Sequence, residues 1–401
     1  MPAAYYIEVL DNLEVVDIYA AAGGEIHLAG SSAVSIGGGA QIALPVSVYP
    51  HKAVRAVLPP ADGGSAAEWV RLRVPIDHRS RQLRSRKVPQ SIASIGRPAT
   101  AASLGALRDI QCRACGAGLF SSAMKGEGAA CNVRDLPSAH WSELVDCWMC
   151  HPEEDTLNVN PELMFAFEPQ RKALSRPGSP APDGPPEAGV HVWVGSTSAL
   201  VPAQCMQGLR ARLAALDDKE RFYNAFAPLH CESCDAVVGE AGHVGRRHTY
   251  KLYLHRIGLL SAERTVAVSL SQAVCSELLS HAGAHAVYKY VVEGRVSCKP
   301  AVLVHLVGWN ADIMAAPAGG RPVADSEGPA FVRCAKVLFA RPGDRGFDAL
   351  AAEWLDSEAA EVVPLFDEDC ARLVELLAAN SLRIPPQLRA MSGLTRSFLG
   401  Q

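Results

Sequence analysis

Cys112-Arg113-Ala114-Cys115-Gly116 and Cys231-Glu232-Ser233-Cys234-Asp235 decide how this chain is read. Two cysteines separated by two residues present two thiolates from one tight turn, and two such turns supply the four sulfurs that a structural zinc ion takes in tetrahedral geometry. Gly116 in the first motif and Gly239 just beyond the second are placed to relieve those turns. The spacing predicts a structural zinc held by Cys112, Cys115, Cys231 and Cys234, stapling parts of the chain that are distant in sequence. A third pair, Cys147/Cys150, precedes His151. It closes a helix-like stretch rather than a glycine-relieved turn, so it is kept out of the structural set, although its spacing would let it join either knuckle.

Working outward, the first hundred residues read as strands. Tyr5 to Leu10 and Leu13 to Ile18 flank the turn-prone Asp11-Asn12, a hairpin pattern. Val70, Leu72 and Val74 alternate with Arg71 and Arg73, the period of a half-exposed strand, and Gln41 to Tyr49 is rich in β-branched residues. The basic run Arg79, Arg81, Arg84, Arg86 and Lys87 has no interleaved aromatics and reads as a solvated surface loop. Residues 175–188 carry too many prolines for a helix or inner strand and read as an insertion within one fold, with a similar loop over 315–328. The last third mixes element types: helices near Leu270–Ser280, Phe347–Leu355 and Asp367–Asn380, and strands at Val287–Val292, Ala301–Val307 and Phe331–Ala340. Cys370, Leu373, Val374 and Leu377 mark one face of the last helix, with Asp367 placed to cap it. Cys275, Cys334 and Cys370 sit in apolar patterns as small buried hydrophobes, and His191, His255 and His305 receive no role.

At 401 residues and 49% hydrophobic content the chain is long enough for a substantial core. A formal charge of −4 provides no basic field for nucleic acid, so direct nucleic-acid binding is not expected. No apolar run is long enough to span a bilayer and no secretory leader is recognisable, which with cysteines at metal spacing favours the reducing cytoplasm or nucleus. His-Glu-x-x-His, Walker-type and Gly-x-Ser-x-Gly motifs are absent, which removes support for metalloprotease, nucleotide-binding and hydrolase readings.

The segment Asp135-Leu136-Pro137-Ser138-Ala139-His140-Trp141 opens with helix-start signals, Asp135 or Ser138 as cap, and runs to Cys147-Trp148-Met149-Cys150-His151-Pro152. Trp141, Leu144, Val145 and Trp148 fall on one helical face, a pattern more typical of core aromatics than of contact residues. Leu-Pro-Ser-x-x-Trp followed by Trp-x-Cys-His resembles the hallmark of the HECT-like proteins that bind ubiquitin-conjugating enzymes. Ile384 to Leu399 is similar to that family's ending, and Val190 to Val201 to its central strand-turn-strand, so the resemblance covers most of the chain.

The resemblance implies a ubiquitin-protein ligase that binds a ubiquitin-conjugating enzyme and promotes ubiquitin transfer to targets, with Cys150 as the candidate catalytic thiol and Trp148, Cys150, His151 and Pro152 as partner-binding residues. It also implies an alternative: a non-catalytic regulator of the zinc-dependent endonuclease that cleaves pre-mRNA 3′ ends, with the Cys150 segment engaging that enzyme's metal site. A zinc-stabilised scaffold with neither activity is a third reading. The expected architecture is α+β: an N-terminal antiparallel β region over residues 1–110, a zinc-stapled central segment over 111–240 carrying the Leu-Pro-Ser helix and the proline-rich insertion, and a mixed α/β C-terminal half over 241–401.

Overall fold

A computed structural model describes residues 4–21, 23–39, 41–59, 68–87, 97–105, 107–120, 131–136, 190–211, 227–244, 247–261, 264–316, 331–357 and 360–400. The fold is mostly β with several helices, consistent with the α+β class. By spatial contact the chain forms two units, one of residues 1–95 with 278–401 and one of residues 96–277, a division that runs across the three sequence segments.

In the first unit the expected N-terminal hairpin is present: Tyr5–Leu10 pairs antiparallel with Val15–Ala21 across a short 3-10 turn, Asp11–Leu13. Its other edge pairs with the 17-residue strand Pro300–Ala316, so strands from the two ends of the sequence share one ten-stranded sheet. Both faces are covered. Tyr5, Ile7 and Val9 pack into one apolar cluster with the small three-stranded sheet of Ile26–Leu28, Ala33–Ile36 and Ile42–Ala43, whereas Tyr6 packs on the opposite face with Ile384 and Phe398. Period-two alternation with apolar residues on both faces is what a central strand requires. The C-terminal hairpin turns through Ser392 and Gly393, both at positive φ, as a two-residue connection between Ala390–Met391 and Leu394–Gly400 demands.

Two readings of this unit are corrected. The basic run is a helix, His78–Lys87, started by the Asp77 carboxylate accepting from the Ser80 N–H at 2.7 Å. It is fastened by ion pairs instead of an apolar stripe: the Arg84 guanidinium donates to Asp11 at 2.6 and 2.7 Å and to Asp312 at 2.6 Å, and Arg333 reaches the same two acids. Asp367 does not cap the helix Asp367–Leu382; it is that helix's first residue, Phe366 is the cap position, and the Asp367 carboxylate accepts from the Val296 N–H at 3.2 Å. A Cβ on Gly294 would lie 2.2 Å from Asp367 Oδ1, so glycine there lets the 294–299 turn close over the carboxylate.

The second unit contains a ten-stranded sheet in the order Leu209–Ala211, Ala227–Cys231, Val237–Val244, Arg247–Tyr253, Ser198–Pro202, Val190–Val194, Cys131–Asp135, Leu107–Cys112, Ile257–Ser261 and Thr265–Ala267. Ile110, Leu119, Val192, Val201, Leu229, Leu252 and Ile257 fill a single core. Cys131–Asp135 and Val190–Val194 run parallel and are joined by the chain from 136 to 189. That chain includes Trp148, Cys150, His151, Pro152 and the proline-rich stretch, all of which lie outside the described residues, as does most of the 315–328 loop.

Candidate metal centre

Cys112 ends the strand Leu107–Cys112 and Cys231 ends Ala227–Cys231, six strand positions away in the sheet. In a flat sheet that separation is about 29 Å. The four sulfurs of Cys112, Cys115, Cys231 and Cys234 nevertheless lie within 4.8 Å of one another. The sheet is therefore rolled upon itself. Its seam is held by the bridge between Phe120 and Met206 and by the Gln207 N–H donating to the Leu119 carbonyl at 2.8 Å.

The two knuckles are built alike. In the first, the Gly116 N–H donates to the Cys112 carbonyl at 2.8 Å and the Cys112 N–H to the Ala117 carbonyl at 2.9 Å. In the second, the Asp235 N–H donates to the Cys231 carbonyl at 2.8 Å and the Cys231 N–H to the Ala236 carbonyl at 2.9 Å. The residue after each second cysteine is left-handed, Gly116 at φ 76° and Asp235 at φ 61°. Aspartate is among the few residues that adopt this conformation routinely. The role given to Gly239 is thus corrected: Asp235 makes the second turn, and Gly239 instead permits close strand approach, since a Cβ there would meet the Lys251 carbonyl oxygen at 2.1 Å.

The sulfurs meet across the knuckles, Cys112 with Cys234 at 3.7 Å and Cys115 with Cys231 at 3.8 Å. A disulfide requires about 2.05 Å. Four thiolates at about 2.3 Å from a zinc ion form a tetrahedron with edges of about 3.8 Å, so the donor set fits zinc. Cys112 and Cys231 are buried, and Cys115 and Cys234 are exposed in the turns. Burial pushes the Cys112 thiol up to about 12, while the Ala117 backbone N–H, with help from the neighbouring sulfurs, lowers Cys115. Without a cation the inner thiol stays protonated at neutral pH.

The Leu-Pro-Ser segment is anchored where it leaves the sheet. Leu136 is buried, its N–H donates to the Val194 carbonyl at 2.9 Å, and a Cβ on Gly195 would lie 3.2 Å from Leu136 Cδ1. The Asp135 carboxylate accepts from the Ala101 N–H at 2.8 Å, at the start of the short helix Ala101–Leu104, and the helix that Asp135 or Ser138 is expected to cap lies outside the described residues. Cys275, Cys334 and Cys370 are buried among apolar side chains, as their patterns indicated.

The sequence pattern that defines the HECT-like ubiquitin-conjugating enzyme (E2)-binding proteins matches residues 8–395, through both units. The chain belongs to that family. A Bos taurus protein named as an E3 ubiquitin-protein ligase is 23% identical over 310 residues, 72% of this chain and 71% of that protein. An uncharacterized Schizosaccharomyces pombe protein is 25% identical over 159 residues, 40% of this chain, which spans only 38% of that relative's length. No solved structure matches. Among the described residues no helix is long and apolar enough to cross a membrane.

Sequence reasoning passed over one convergence of ligand-type side chains, His281, His285 and Glu361. The signal was the four-residue spacing of the histidines, hidden because the helix expected to end near Ser280 continues to His285.

Proposed function

We propose that this E2-binding family member acts as a ubiquitin ligase, docking a charged ubiquitin-conjugating enzyme and promoting ubiquitin transfer to a target. The observation that carries this reading is the family match over residues 8–395, joined by the 310-residue similarity to a named ubiquitin ligase. The four-cysteine centre serves as a structural zinc site. Cys112, Cys115, Cys231 and Cys234 hold the ion, which fastens two strands six positions apart in the rolled sheet and neutralises thiolates that would repel one another.

The rolled sheet supports the strand from which the Leu-Pro-Ser segment departs, and Leu136 fixes that point of departure. Trp148, His151 and Pro152 are the proposed contacts for the conjugating enzyme. Cys150 is the proposed nucleophile: its thiolate attacks the thioester carbonyl of the charged enzyme, and the enzyme's own cysteine leaves as thiolate.

The test is incubation of wild-type and Cys150→Ala protein with ubiquitin, activating enzyme and a panel of conjugating enzymes, with products resolved with and without reductant. A reductant-sensitive ubiquitin adduct absent from Cys150→Ala is the expected result. Conjugating-enzyme-dependent ubiquitination without the adduct would keep ligase function and remove Cys150 as nucleophile. No conjugating-enzyme binding and no ubiquitin product, with zinc retained, would overturn the reading in favour of the endonuclease regulator or an inactive scaffold.

A further inference from the structure

His281 and His285 lie one turn apart on the helix Leu270–His285, and Glu361 lies on the strand Ala360–Leu365. Residues four apart on a helix share a face. The strand is at a sheet edge, paired parallel with Lys289–Gly294 so that Glu361 stands opposite Tyr290. Tyr290 fixes the helix end from the other side, donating to the Leu278 carbonyl at 2.8 Å and packing edge-on against the His281 ring. The result is that Nδ1 of His281 faces one carboxylate oxygen of Glu361 and Nδ1 of His285 faces the other. One nitrogen from each ring and one oxygen lie within 4.8 Å of each other.

We propose that His281, His285 and Glu361 form a second metal site, for an exchangeable divalent ion of the zinc or cobalt type, separate from the four-cysteine centre. Two imidazoles and a carboxylate are the three-ligand set used where zinc keeps an open fourth position. Ligand bonds of about 2.0–2.2 Å place donors about 3.3 Å apart. The three side chains retain 17, 24 and 22% of their exposure, so they can separate to that distance and leave an approach from solvent. The helix adds a second reason for a cation here. It ends just after His285, with Ala286 left-handed and its N–H donating to the Ala282 carbonyl, and the carbonyl end of a helix favours positive charge. A plain ion pair would need only one protonated histidine on the carboxylate; here both rings converge on the one acid. Four thiolates make the cysteine centre soft and coordinatively closed, whereas this site is harder and keeps an open coordination position, so its ion exchanges faster.

The experiment titrates cobalt(II) into the full-length protein already loaded with zinc and follows the visible spectrum. The expected result is one further equivalent per chain, with d–d bands of nitrogen–oxygen ligation and no thiolate-to-cobalt charge-transfer band, abolished in Glu361→Gln and in His285→Ala while the thiolate-bound zinc is kept. A charge-transfer band would report cobalt at the cysteines, so the two sites read out separately. Because either variant can fail to fold, wild-type protein is also examined by proton NMR, where cobalt at this site shifts exchangeable imidazole N–H resonances far downfield. No further equivalent, no shifted imidazole signals, or an equivalent that persists unchanged in both variants would overturn the proposal.

Discussion

The sulfurs of Cys112 and Cys234 lie 3.7 Å apart although the residues are 122 positions apart in sequence. That contact, with the matching one between Cys115 and Cys231, means the metal centre reports on closure of the whole rolled sheet. Chelation of the purified protein should lower its melting temperature by several degrees, and Cys231→Ala should both release the zinc and destabilise by at least about 3 kcal/mol. Metal analysis with a thermal melt of the same samples checks both.

The centre should also be proton-linked. In the metal-free protein the Cys112 pKa is raised by burial from the ordinary 9.0 to about 12, so the protonated thiol is favoured in the folded state. The stability this contributes is fully present below pH 9 and is lost as pH rises towards 12. Zinc binding reverses the preference by requiring thiolates, so zinc affinity rises with pH and each ion bound releases protons. Calorimetric titrations in buffers of different ionisation enthalpy should show that release; an uptake without proton release would contradict the thiolate centre.

The left-handed residue in each knuckle gives a matched pair of substitutions. Because Asp235 occupies in the second knuckle the position that Gly116 holds in the first, Gly116→Asn should cost about 1 kcal/mol or less and retain metal. Gly239→Ala should cost about 3 kcal/mol, since its Cβ would fall on a backbone oxygen that cannot move aside. Denaturant unfolding of the zinc-loaded variants measures both.

Arg84 bridges Asp11 and Asp312 with all three side chains largely withdrawn from water. Arg84→Ala leaves Arg333 alone against two acids and should destabilise by about 2–3 kcal/mol, with Arg84→Lys recovering part because a single ammonium cannot reproduce the fork. The midpoint of urea unfolding is the readout.

Asp367 supplies an acid-side counterpart. Burial raises its pKa, but hydrogen bonds from Ser297 and the Val296 N–H outweigh that and hold the carboxyl below the ordinary 3.8. The stabilisation is present above pH 3.8 and disappears as pH falls through the lower folded-state value. Asp367→Asn should flatten the acid limb of the stability curve without altering zinc content.

Local patterns determined what local physics controls. The turn-prone Asp11-Asn12 marked the hairpin that begins with Tyr5 to Leu10, period two marked Glu68 to Ile76 as a strand, period 3.6 marked the Asp367 helix, and two cysteine pairs at knuckle spacing named the four thiols that converge, because each of these depends only on neighbours along the chain. Side-chain partners were another matter. Asp367 looks like a cap for the helix that follows it, yet its carboxylate accepts from Val296, a donor brought in by folding. Arg84 reads as a solvated charge until Asp312, 228 positions away, is laid beside it. The roll that joins the knuckles, the single sheet shared by Tyr5 and Pro300, and the meeting of His281, His285 and Glu361 were likewise decided only in three dimensions. Strand pairing joins residues without regard to their distance in sequence, and no periodicity along the chain records which edges will meet.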